Sequence, residues 1–420
     1  MEEFNLDLHF HGPFAGGTSN KTTIPLAAEQ AALKGLDCIT TADITHAEWL
    51  KQVKENVSED SNGVFKCKGF GTKFIIGTEV ETIGRVHHLV FLEDLARAEE
   101  FRERLKKFAN LDYYGAGRPK LKLSAEQIAE IVLDLKGLIG PAHAFTPYFG
   151  VYAHYDSIQK AYGRFGKEIK FIELGLSADS YFADLIEENH RYNFFSFSDA
   201  HSVWPHRLGR EFVRAKMKEC SFKELKKTLE FENERRITLN VGLDPREGMY
   251  HETACNSCHA HYNLKEAEGM RWKCPCGGII KKGVKDRISE LATFKEEVHP
   301  DFRPEYLHFI PLAEIIQLTL GERMPEHKRV QEVWKQFVSN FKNEINVLID
   351  EPIVNLAEMH EEIAKRIESF RKGLVVYKPG GGGEYGKPFI CLSEQECEAK
   401  RLEIEAGKNA AKTQRTLFDY

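Results

Sequence analysis

The sequence predicts an α/β fold: a barrel of about seven βα steps, then a small four-cysteine module, then a mainly helical C-terminal domain. Three observations lead to this prediction. Short β-rich runs alternate with amphipathic helical patterns from Phe4 to about Phe212, four cysteines cluster between Cys255 and Cys276, and long helical patterns dominate from Leu307 to Phe370. Such alternation builds parallel strands with crossover helices, and seven steps in one domain favour a barrel over an open sheet.

The predicted strands are short, β-rich runs at residues 4–10, 37–41, 73–80, 85–92, 138–142, 170–175 and 194–198. Amphipathic patterns predict helices at residues 24–34, 95–108, 124–135 and 181–188. The third helix opens with Ser124 and Gln127, a spacing that resembles a capping box. We place domain boundaries where the alternation stops and where the helical patterns begin and end, which gives domains at residues 1–240, 241–283, 284–392 and 393–420.

The composition is that of an ordinary globular protein. A chain of 420 residues can hold two or three domains at roughly 150 residues each. Its 42% hydrophobic and 29% charged residues exclude a disordered or fibrous chain, and its length excludes a small disulfide scaffold. The net charge of −6 is too acidic for a protein that coats nucleic acid non-specifically, although a local basic groove can coexist with it.

The N-terminal residues give no sign of a secretory signal, because they contain neither a basic nor an apolar stretch. No run of residues approaches an apolar membrane-spanning helix. We therefore expect a cytoplasmic protein without a membrane partner.

Histidine, aspartate and glutamate residues recur where the predicted strands end. The set comprises His9 and His11, Asp43 with His46, Glu79, His87 and His88, His143, Glu173, and Asp199 with His201. A single histidine is more often a hydrogen-bonded core or surface residue than a ligand, but this many ionisable groups would be very costly to bury unpaired. Imidazoles and carboxylates together suit zinc, manganese or iron, and a carboxylate such as Glu79 can bridge two ions. We therefore expect the set to converge on one face of the barrel and to bind metal.

Four of these segments resemble the motif series of the PHP superfamily, which is named for polymerase and histidinol phosphatase domains. They are Asp7-Leu8-His9-Phe10-His11, Gly77-Thr78-Glu79, Pro141-Ala142-His143 and Ser198-Asp199-Ala200-His201. The resemblance implies a distorted (βα)7 barrel with two or three catalytic divalent ions, Mg²⁺, Mn²⁺ or Zn²⁺, that hydrolyses phosphoesters. The ligands that it implies are His9, His11, Asp43, Glu79, His88, His143, Asp199 and His201.

The sequence departs from the family at the second motif, where Thr-Asp-His is usual and Thr41-Ala42-Asp43 is followed by Ile44. His46 is the candidate replacement for the missing histidine. Between the adjacent His87 and His88 we prefer His88, because it directly precedes the apolar strand run as the family's histidine does.

The four clustered cysteines have the spacing of a structural zinc site. Cys255 and Cys258 form one pair, Cys274 and Cys276 form the other, and two thiolate pairs can close a tetrahedral shell. His259 and His261 could replace a cysteine, and a redox pair is the less favoured alternative. Basic residues around the module, Lys281 and Lys282 among them, either contact a phosphate backbone or form a solvated face.

The glycine run at residues 380–383 interrupts the helical periodicity. It is either a flexible turn or a loop in which Gly381 and Gly382 approach a phosphate backbone.

The arrangement of the PHP motifs, the cysteine module, the segment at residues 309–316 and the glycine loop resembles the archaeal endonuclease Q family along nearly the whole chain. The resemblance implies a DNA repair nuclease that recognises deoxyuridine, deoxyinosine, deoxyxanthosine and abasic sites, and cuts the phosphodiester 5′ to the lesion. The catalytic residues would be His9, His11, Glu79, His143 and Asp199. In the aromatic loop after His143, Tyr148 and Phe149 either stack on DNA or pack the barrel rim.

The C-terminal tail is similar to the box that binds sliding clamps. Its matching residues are Gln414, Leu417, Phe418 and Tyr420. In the context of a DNA nuclease we expect clamp binding. The alternatives are a phosphatase acting on a small phosphomonoester, which leaves the additional segments unexplained, and a non-catalytic DNA-binding scaffold, which only the altered second motif supports.

Overall fold

The computed structural model describes residues 1–60 and 63–416 and forms two compact units. The barrel unit consists of Met1–Gly175, Asp179–Leu243 and Thr293–Pro311. The C-terminal unit consists of Leu176–Ala178, Asp244–Ala292 and the chain from Leu312 onward. Among the described residues, no helix combines the length and the apolar character that crossing a membrane requires.

The strands, in chain order, are β1 (Glu2–Asp7), β2 (Cys38–Thr40), β3 (Val57–Glu59), β4 (Phe65–Cys67), β5 (Lys73–Glu81), β6 (His87–Leu92), β7 (Leu138–Pro141), β8 (Phe171–Glu173), β9 (Asn193–Phe195), β10 (Phe212–Met217), β11 (Arg236–Gly242), β12 (Ala254–Cys255), β13 (Ile280–Lys281), β14 (Glu305–His308), β15 (Val375–Lys378) and β16 (Lys387–Ile390).

The α-helices are α1 (Ile24–Lys34), α2 (Ala47–Asn56), α3 (Leu95–Leu105), α4 (Ala125–Asp134), α5 (Ile158–Tyr162), α6 (Ser180–Ala183), α7 (Phe222–Leu229), α8 (Leu264–Gly269), α9 (Val284–Leu291), α10 (Leu312–Leu320), α11 (Lys328–Asn340), α12 (Ile353–Met359), α13 (Glu361–Arg371) and α14 (Glu394–Thr416). Short 3-10 helices lie at Val151–Ala153, Gly163–Phe165, Glu187–Arg191, Glu232–Glu234 and Pro245–Glu247, and a π-helical turn lies at Asn346–Asp350.

Seven strands close a distorted barrel, as the sequence predicts. β1 pairs in parallel with β2, β2 with β5, and β8 with β9, whereas β6 runs antiparallel to both β5 and β7. The N–H of Ala144 donates to the carbonyl of Glu173 at 2.8 Å and links the end of β7 to β8. A parallel bridge between Phe10 and Ala200 links the extensions of β9 and β1 and completes the ring.

The expectation of wholly parallel strands is corrected at β6. Only residues 82–86 separate β5 from β6, and a connection this short makes a hairpin, since a parallel crossover needs a dozen or more residues. On the other side of β1, the antiparallel strands β10 and β11 extend the sheet, and β14 pairs in parallel with β11. The sheet is therefore mixed.

The barrel interior is apolar and fully buried. The buried apolar side chains come from strands all round the ring. They include Leu6, Ile75, Phe91, Phe171 and Phe195. β5 and β6 are buried along almost their whole length, and each combines a short apolar run with the polar residues of a motif.

The predicted helices agree with the structure in three of the four places. α1 has the predicted bounds, α3 ends a few residues early, and α4 begins at the capping box of Ser124 and Gln127. The predicted helix at residues 181–188 is instead broken into α6 and the 3-10 turn at Glu187–Arg191. Asn189 and His190 side chains hydrogen-bond the carbonyls of Ala183 and Asp184, which a continuing helix would have used itself.

The C-terminal unit contains the cysteine module and a helical region. The small hairpin of β12 and β13 carries the first cysteine, with α8 and α9 beside it. The helices α10–α13 bury Ile315, Trp334, Phe337 and Ile367. Glu344 lies within this core, accepting hydrogen bonds from the indole N–H of Trp334 at 2.6 Å and from the backbone N–H of Leu312 at 3.0 Å.

Candidate active site and metal centres

The expected histidines and carboxylates converge at one end of the barrel. His9 and His11 follow β1, Glu79 lies near the end of β5, His143 follows β7 and Asp199 lies beyond β9. His87 is the first residue of β6, and because β6 is antiparallel its start lies at the same end of the barrel as the ends of the parallel strands. The site is therefore built from segments far apart in sequence and placed together by barrel closure.

The first candidate metal-binding group consists of His9, His11 and Asp199. The Asp199 Oδ1 atom lies 3.5 Å from His9 Nε2 and 3.3 Å from His11 Nε2. These three atoms are buried and have no hydrogen-bond partner among the described residues. Three buried atoms that converge, can each offer a lone pair to a cation and have no hydrogen-bond partner are what a metal site provides, so the group fits a divalent metal ion.

The second group consists of Glu79, His87 and His143. Glu79 Oε1 lies 2.9 Å from His87 Nδ1 and 3.0 Å from His143 Nε2. The other oxygen, Glu79 Oε2, lies 3.2 Å from His11 Nε2 in the first group. One carboxylate therefore faces both groups, which is the geometry of a bridging ligand between two ions.

Two further carboxylates fix the imidazole rings of the first group. Asp43 Oδ1 lies 3.0 Å from His11 Nδ1, and Glu173 contacts His9 Nδ1 at 2.9 and 3.0 Å. A ligating histidine commonly donates its second ring N–H to such a carboxylate, which sets the tautomer and the ring orientation. Asp43, a predicted ligand, is thus placed behind His11 rather than in either group.

The backbone of the site is strained at several positions. Asp43, His143 and Asp199 have φ values of 35°, 29° and 45°, and none of them is glycine. Backbone in the left-handed region costs residues of this kind of order 1–3 kcal/mol and persists where the surrounding structure enforces it, commonly at functional sites. The backbone conformation that positions these side chains therefore lowers the stability of the barrel.

The carboxylates create a strongly negative site. Burial opposes ionisation of Glu79, but His87, Arg118 and His9 outweigh it and hold the pKa of Glu79 well below its usual range. Burial also opposes protonation of His9, but Glu173, Asp199 and Glu79 outweigh it and raise the pKa of His9 well above its usual value. A potential that holds protons on these rings also attracts metal ions, which displace the protons on binding.

The choice between the adjacent histidines is the reverse of the prediction. His87 belongs to the second group, whereas His88 points to the opposite face of β6 and lies 2.5 Å from the hydroxyl of Tyr162. Burial, with a further contribution from His87, lowers the pKa of His88 to about 3. Successive residues of a strand face opposite sides, so only one of the pair can reach the site.

The other two histidines expected near the metals lie outside both groups. His46 stacks on Phe14 with ring centroids 4.1 Å apart, and burial lowers its pKa. His201 is partly exposed, with its Nδ1 atom 3.0 Å from the carbonyl oxygen of Asp199. Its ring lies 4.9 Å from that of His11, at the rim of the first group.

Arg118 is a residue of the site that the sequence did not indicate. Its Nη1 atom lies 3.2 Å from Glu79 Oε2, and its charge stabilises the ionised carboxylate. It comes from a loop without a recognisable motif, so only the folded chain brings it to the metal-binding residues.

The four cysteines form a third metal-binding group in the C-terminal unit. The Sγ atoms of Cys255 and Cys276 are 3.5 Å apart, and those of Cys258 and Cys274 are 3.6 Å apart. A tetrahedral ion with metal–sulfur bonds near 2.3 Å holds its sulfurs roughly 3.8 Å apart, so the cluster fits such an ion. The Nδ1 atom of His261 lies 2.7 Å from Glu252 Oε2. Neither His259 nor His261 belongs to the cluster.

Hydrogen bonds favour the thiolate form of one cysteine of the cluster, Cys274. The hydroxyl of Tyr262 lies 3.0 Å from Cys274 Sγ. Burial raises the pKa of this thiol, but the hydrogen bonds from Tyr262 and from the backbone N–H of Cys276 outweigh burial and lower it to about 7. A thiolate at neutral pH is the form that binds metal.

The glycine loop packs against this module. A Cβ atom on Gly381 would lie 2.9 Å from the Cβ of Ala254, and one on Gly382 would lie 2.1 Å from the carbonyl oxygen of Cys255. Gly382 also has a φ of 62°. Close internal packing therefore requires these glycines, and their contact with DNA stays a prediction.

The remaining candidate DNA contacts occupy different settings. Tyr148 is 39% exposed, whereas Phe149 stacks on the His87 ring with centroids 4.6 Å apart. Lys281 is half-buried in β13, and Lys282 pairs with Glu290. Of the clamp-binding residues, Gln414 lies in α14 without a described side chain, and Leu417, Phe418 and Tyr420 lie outside the described residues.

Comparisons with known proteins extend over almost the whole chain. A family model described as the MJ0043 C-terminal domain matches residues 311–374. The uncharacterized protein MJ0043 of Methanocaldococcus jannaschii is 46% identical over 268 residues, a match that covers 62% of this chain and 33% of that protein. The chain thus spans about a third of the length of this relative.

Two solved structures match with a TM-score of 0.87. One is the crystal structure of the lesion-specific endonuclease PfuEndoQ from Pyrococcus furiosus, which is 46% identical; the match covers 93% of this chain and 96% of that chain. The other is endonuclease Q in complex with a 27-mer duplex substrate that has an abasic lesion at the active site; it is 45% identical, with 94% and 98% covered. With this identity over nearly the full length of both solved chains, the chain belongs to the endonuclease Q family.

Proposed function

We propose that this protein is a DNA repair endonuclease that hydrolyses the phosphodiester 5′ to deoxyuridine, deoxyinosine, deoxyxanthosine and abasic sites. The observation that carries the proposal is the bridging position of Glu79 between two buried groups of metal-binding side chains. The relative that was solved with an abasic duplex at its active site supports the choice of DNA as substrate.

The reaction needs no protein nucleophile. The oxygen of water forms a bond to phosphorus, the bond from phosphorus to the 3′ oxygen breaks, and that oxygen takes a proton, which leaves 3′-hydroxyl and 5′-phosphate ends. When two or three divalent ions are bound, they hold the phosphate, lower the pKa of a water molecule and stabilise the departing oxygen. The chain contributes His9, His11, Glu79, His143 and Asp199, with His87, as the groups that hold the ions, and Asp43 and Glu173 orient two of the rings.

The identities of the metals are part of the proposal. Four thiolates favour Zn²⁺ in the cysteine module, where a closed shell leaves no position for catalysis. The mixed imidazole and carboxylate groups of the barrel suit Mg²⁺, Mn²⁺ or Zn²⁺.

Lesion choice would follow from the extrusion of the damaged nucleotide toward the metals. Extrusion costs less for a mispaired or abasic nucleotide than for an intact base pair, which gives selectivity before any base is read. Tyr148 is placed to stack on or wedge into DNA, because it is exposed and follows the metal-binding His143 by five residues. Lys281 and Lys282 would contact the phosphate backbone.

The C-terminal tail would bind a sliding clamp through Gln414, Leu417, Phe418 and Tyr420. Deletion of residues 414–420 should abolish clamp association and leave lesion cleavage by the free enzyme intact. Size-exclusion chromatography with a clamp, beside the cleavage assay, measures both. Equal clamp binding by the truncated chain would contradict the assignment.

The test of the function is a nicking assay on labelled duplexes that carry one deoxyuridine, deoxyinosine or abasic site, beside an undamaged duplex. We expect a nick immediately 5′ of the lesion with magnesium or manganese, and none with chelator. Tyr148→Ala should cut lesion duplexes more slowly, and an unchanged rate would place this ring in rim packing instead. Release of phosphate from p-nitrophenyl phosphate without any lesion-dependent nick would replace the proposal with a phosphomonoesterase.

A further inference from the structure

Arg118 places a guanidinium beside the bridging carboxylate of Glu79, and the reaction proposed above gives this side chain no direct role. Its Nη1 atom lies 3.2 Å from Glu79 Oε2, the oxygen that also faces His11 Nε2 at 3.2 Å. The side chain is 21% exposed, whereas that of Glu79 is fully buried. The guanidinium therefore extends between the buried bridging ligand and the solvent.

The backbone holds Arg118 firmly on both sides. The N–H of Gly117 donates to the carbonyl of Phe14 at 2.9 Å, and the N–H of Glu81 donates to the carbonyl of Pro119 at 2.9 Å. A Cβ on Gly117 would lie 2.7 Å from both the backbone nitrogen of Ala15 and Asp43 Oδ2, so the loop is pressed against the segment that follows the metal-binding histidines. These contacts hold the loop backbone in place on both sides of Arg118. They therefore limit the positions that the guanidinium can reach.

Most of the donors of Arg118 are not used by the protein. A guanidinium has five N–H donors in a planar fork. Within the described part of the chain, the contact with Glu79 is the hydrogen bond that Arg118 makes. A half-buried arginine with open donors beside a metal-binding group is a ready receptor for an anion with two oxygens.

Metal binding makes this receptor available. An ion in the first group would share Glu79 Oε2 with the guanidinium, and two cations on one oxygen repel each other. The donors of Arg118 would then turn from Glu79 to the nearest incoming anion, which under the proposed function is the scissile phosphodiester. We propose that Arg118 donates hydrogen bonds to a non-bridging oxygen of the scissile phosphate and stabilises the charge on it as the bond to the 3′ oxygen breaks.

This inference rests on the proposed function for the identity of the anion. Arg118 keeps its proton throughout, and water supplies the oxygen and the proton as in the reaction given above. An arginine that meets transferring phosphoryl oxygens accelerates such reactions by roughly 10³–10⁵ in the best studied cases. Arg118 is in that role a catalytic residue rather than only a counter-charge for Glu79.

The experiment compares wild type, Arg118→Ala, Arg118→Lys and the control Lys120→Ala, which removes the same charge from an exposed position of the same loop. Bound metal per chain is measured first. The metal-loaded proteins are then titrated with inorganic phosphate by calorimetry, and kcat and KM are measured on the lesion duplex. We expect Arg118→Ala to keep its metals, to bind phosphate at least about tenfold more weakly and to lose roughly 10²–10⁴ in kcat, with a smaller change in KM.

Arg118→Lys should recover part of the phosphate affinity, since lysine keeps the charge but not the planar fork. Loss of metal from Arg118→Ala would overturn the inference, because the arginine would then act only through Glu79. Phosphate affinity and kcat equal to those of Lys120→Ala would also overturn it. If wild type fails to nick any lesion, the proposed function fails, and the phosphate titration still decides the role of Arg118.

Discussion

Glu79 offers one carboxylate oxygen to each of two histidine groups, and this division explains why a single acidic residue carries so much of the site. Oε1 faces His87 and His143, and Oε2 faces His11 and Arg118. A buried ionised carboxylate is strongly destabilising unless cationic and hydrogen-bonding partners compensate its charge, and Glu79 has such partners on both of its oxygens. The properties of the site therefore depend on which neighbouring side chains point toward Glu79.

The two adjacent histidines of β6 give a matched pair for testing that dependence. His87→Ala should lower the metal content of the barrel and lose at least about tenfold to a hundredfold in lesion cleavage, because it removes a donor of the second group. His88→Ala should keep the metal content and instead lose about 1–3 kcal/mol of stability, since it leaves the buried hydroxyl of Tyr162 without its partner. Metal analysis, cleavage rates and denaturant unfolding measure the three effects. Loss of metal from His88→Ala, with metal retained by His87→Ala, would contradict this assignment.

A buried carboxyl away from the metals should make stability depend on pH. Burial raises the pKa of Glu211 to about 8, although the N–H of Leu243 donates to its Oε1 atom at 2.9 Å. Between about pH 4.5 and pH 8 the unfolded chain ionises this group while the folded chain keeps it protonated, so the free energy of unfolding falls as pH rises. Above pH 8 both states are ionised and the fall ends.

Glu211→Gln should remove this fall, because glutamine accepts the same hydrogen bond and does not ionise. We expect wild type to lose stability relative to the variant as pH rises from 5 to 8, and the difference to level off above pH 8. Urea unfolding at a series of pH values measures it. A constant difference across the series would show that Glu211 is ionised in the folded protein.

At the scale of elements, the barrel strands could be predicted from the sequence because each is a short apolar run beside a polar motif. The orientation of β6 could also have been inferred, since the connection before it is too short for a crossover. β10 and β11 follow the last motif and were not predicted as strands, although the alternation of buried and partly exposed positions in β10 is typical of a half-buried strand.

The motifs predicted five residues of the two candidate metal-binding groups, but the predicted ligands Asp43, His88 and His201 lie outside both groups. His9, His11, Glu79, His143 and Asp199 come together as expected. The choice of His87 required the register of β6, and Arg118 required the packing of a loop whose own sequence has no signal. Both depend on contacts between segments distant in sequence, which local patterns do not contain.

The glycine loop shows how an element can depend on one missing side chain. Gly382→Ala should destabilise the C-terminal unit by more than about 1 kcal/mol, because the new Cβ would meet the carbonyl oxygen of Cys255 and the residue has a positive φ. Gly373→Ala is the control, since Gly373 has a similar φ of 70° and nothing within 4 Å of its Cβ position. Thermal unfolding measures the stability of the two variants, and metal analysis measures how much zinc they retain. Equal effects would mean that backbone strain alone matters at residue 382.

At the scale of the whole molecule, the metal-binding residues are divided between two compact units. The imidazole and carboxylate groups belong to the barrel unit, and the four-cysteine group belongs to the C-terminal unit. The barrel groups contain buried carboxylates, which can bind ions that also contact the substrate. The cysteine group is closed by four thiolates. Under the proposed function, chemistry and structural support therefore use separate metals, and each set should be removable without the other.

Cys258→Ser should test this separation. We expect the variant to lose one zinc ion per chain and to destabilise the C-terminal unit, because a structural zinc site contributes directly to folding. The barrel should keep its own metals, because none of its donors is changed. Cys67→Ala, which removes a thiol of β4 outside the cluster, is the control for the loss of a cysteine. Metal analysis and limited proteolysis with mass spectrometry locate the change. Loss of the barrel's metals together with the zinc would show that the two sites depend on each other, whereas an unchanged zinc content would exclude Cys258 as a ligand.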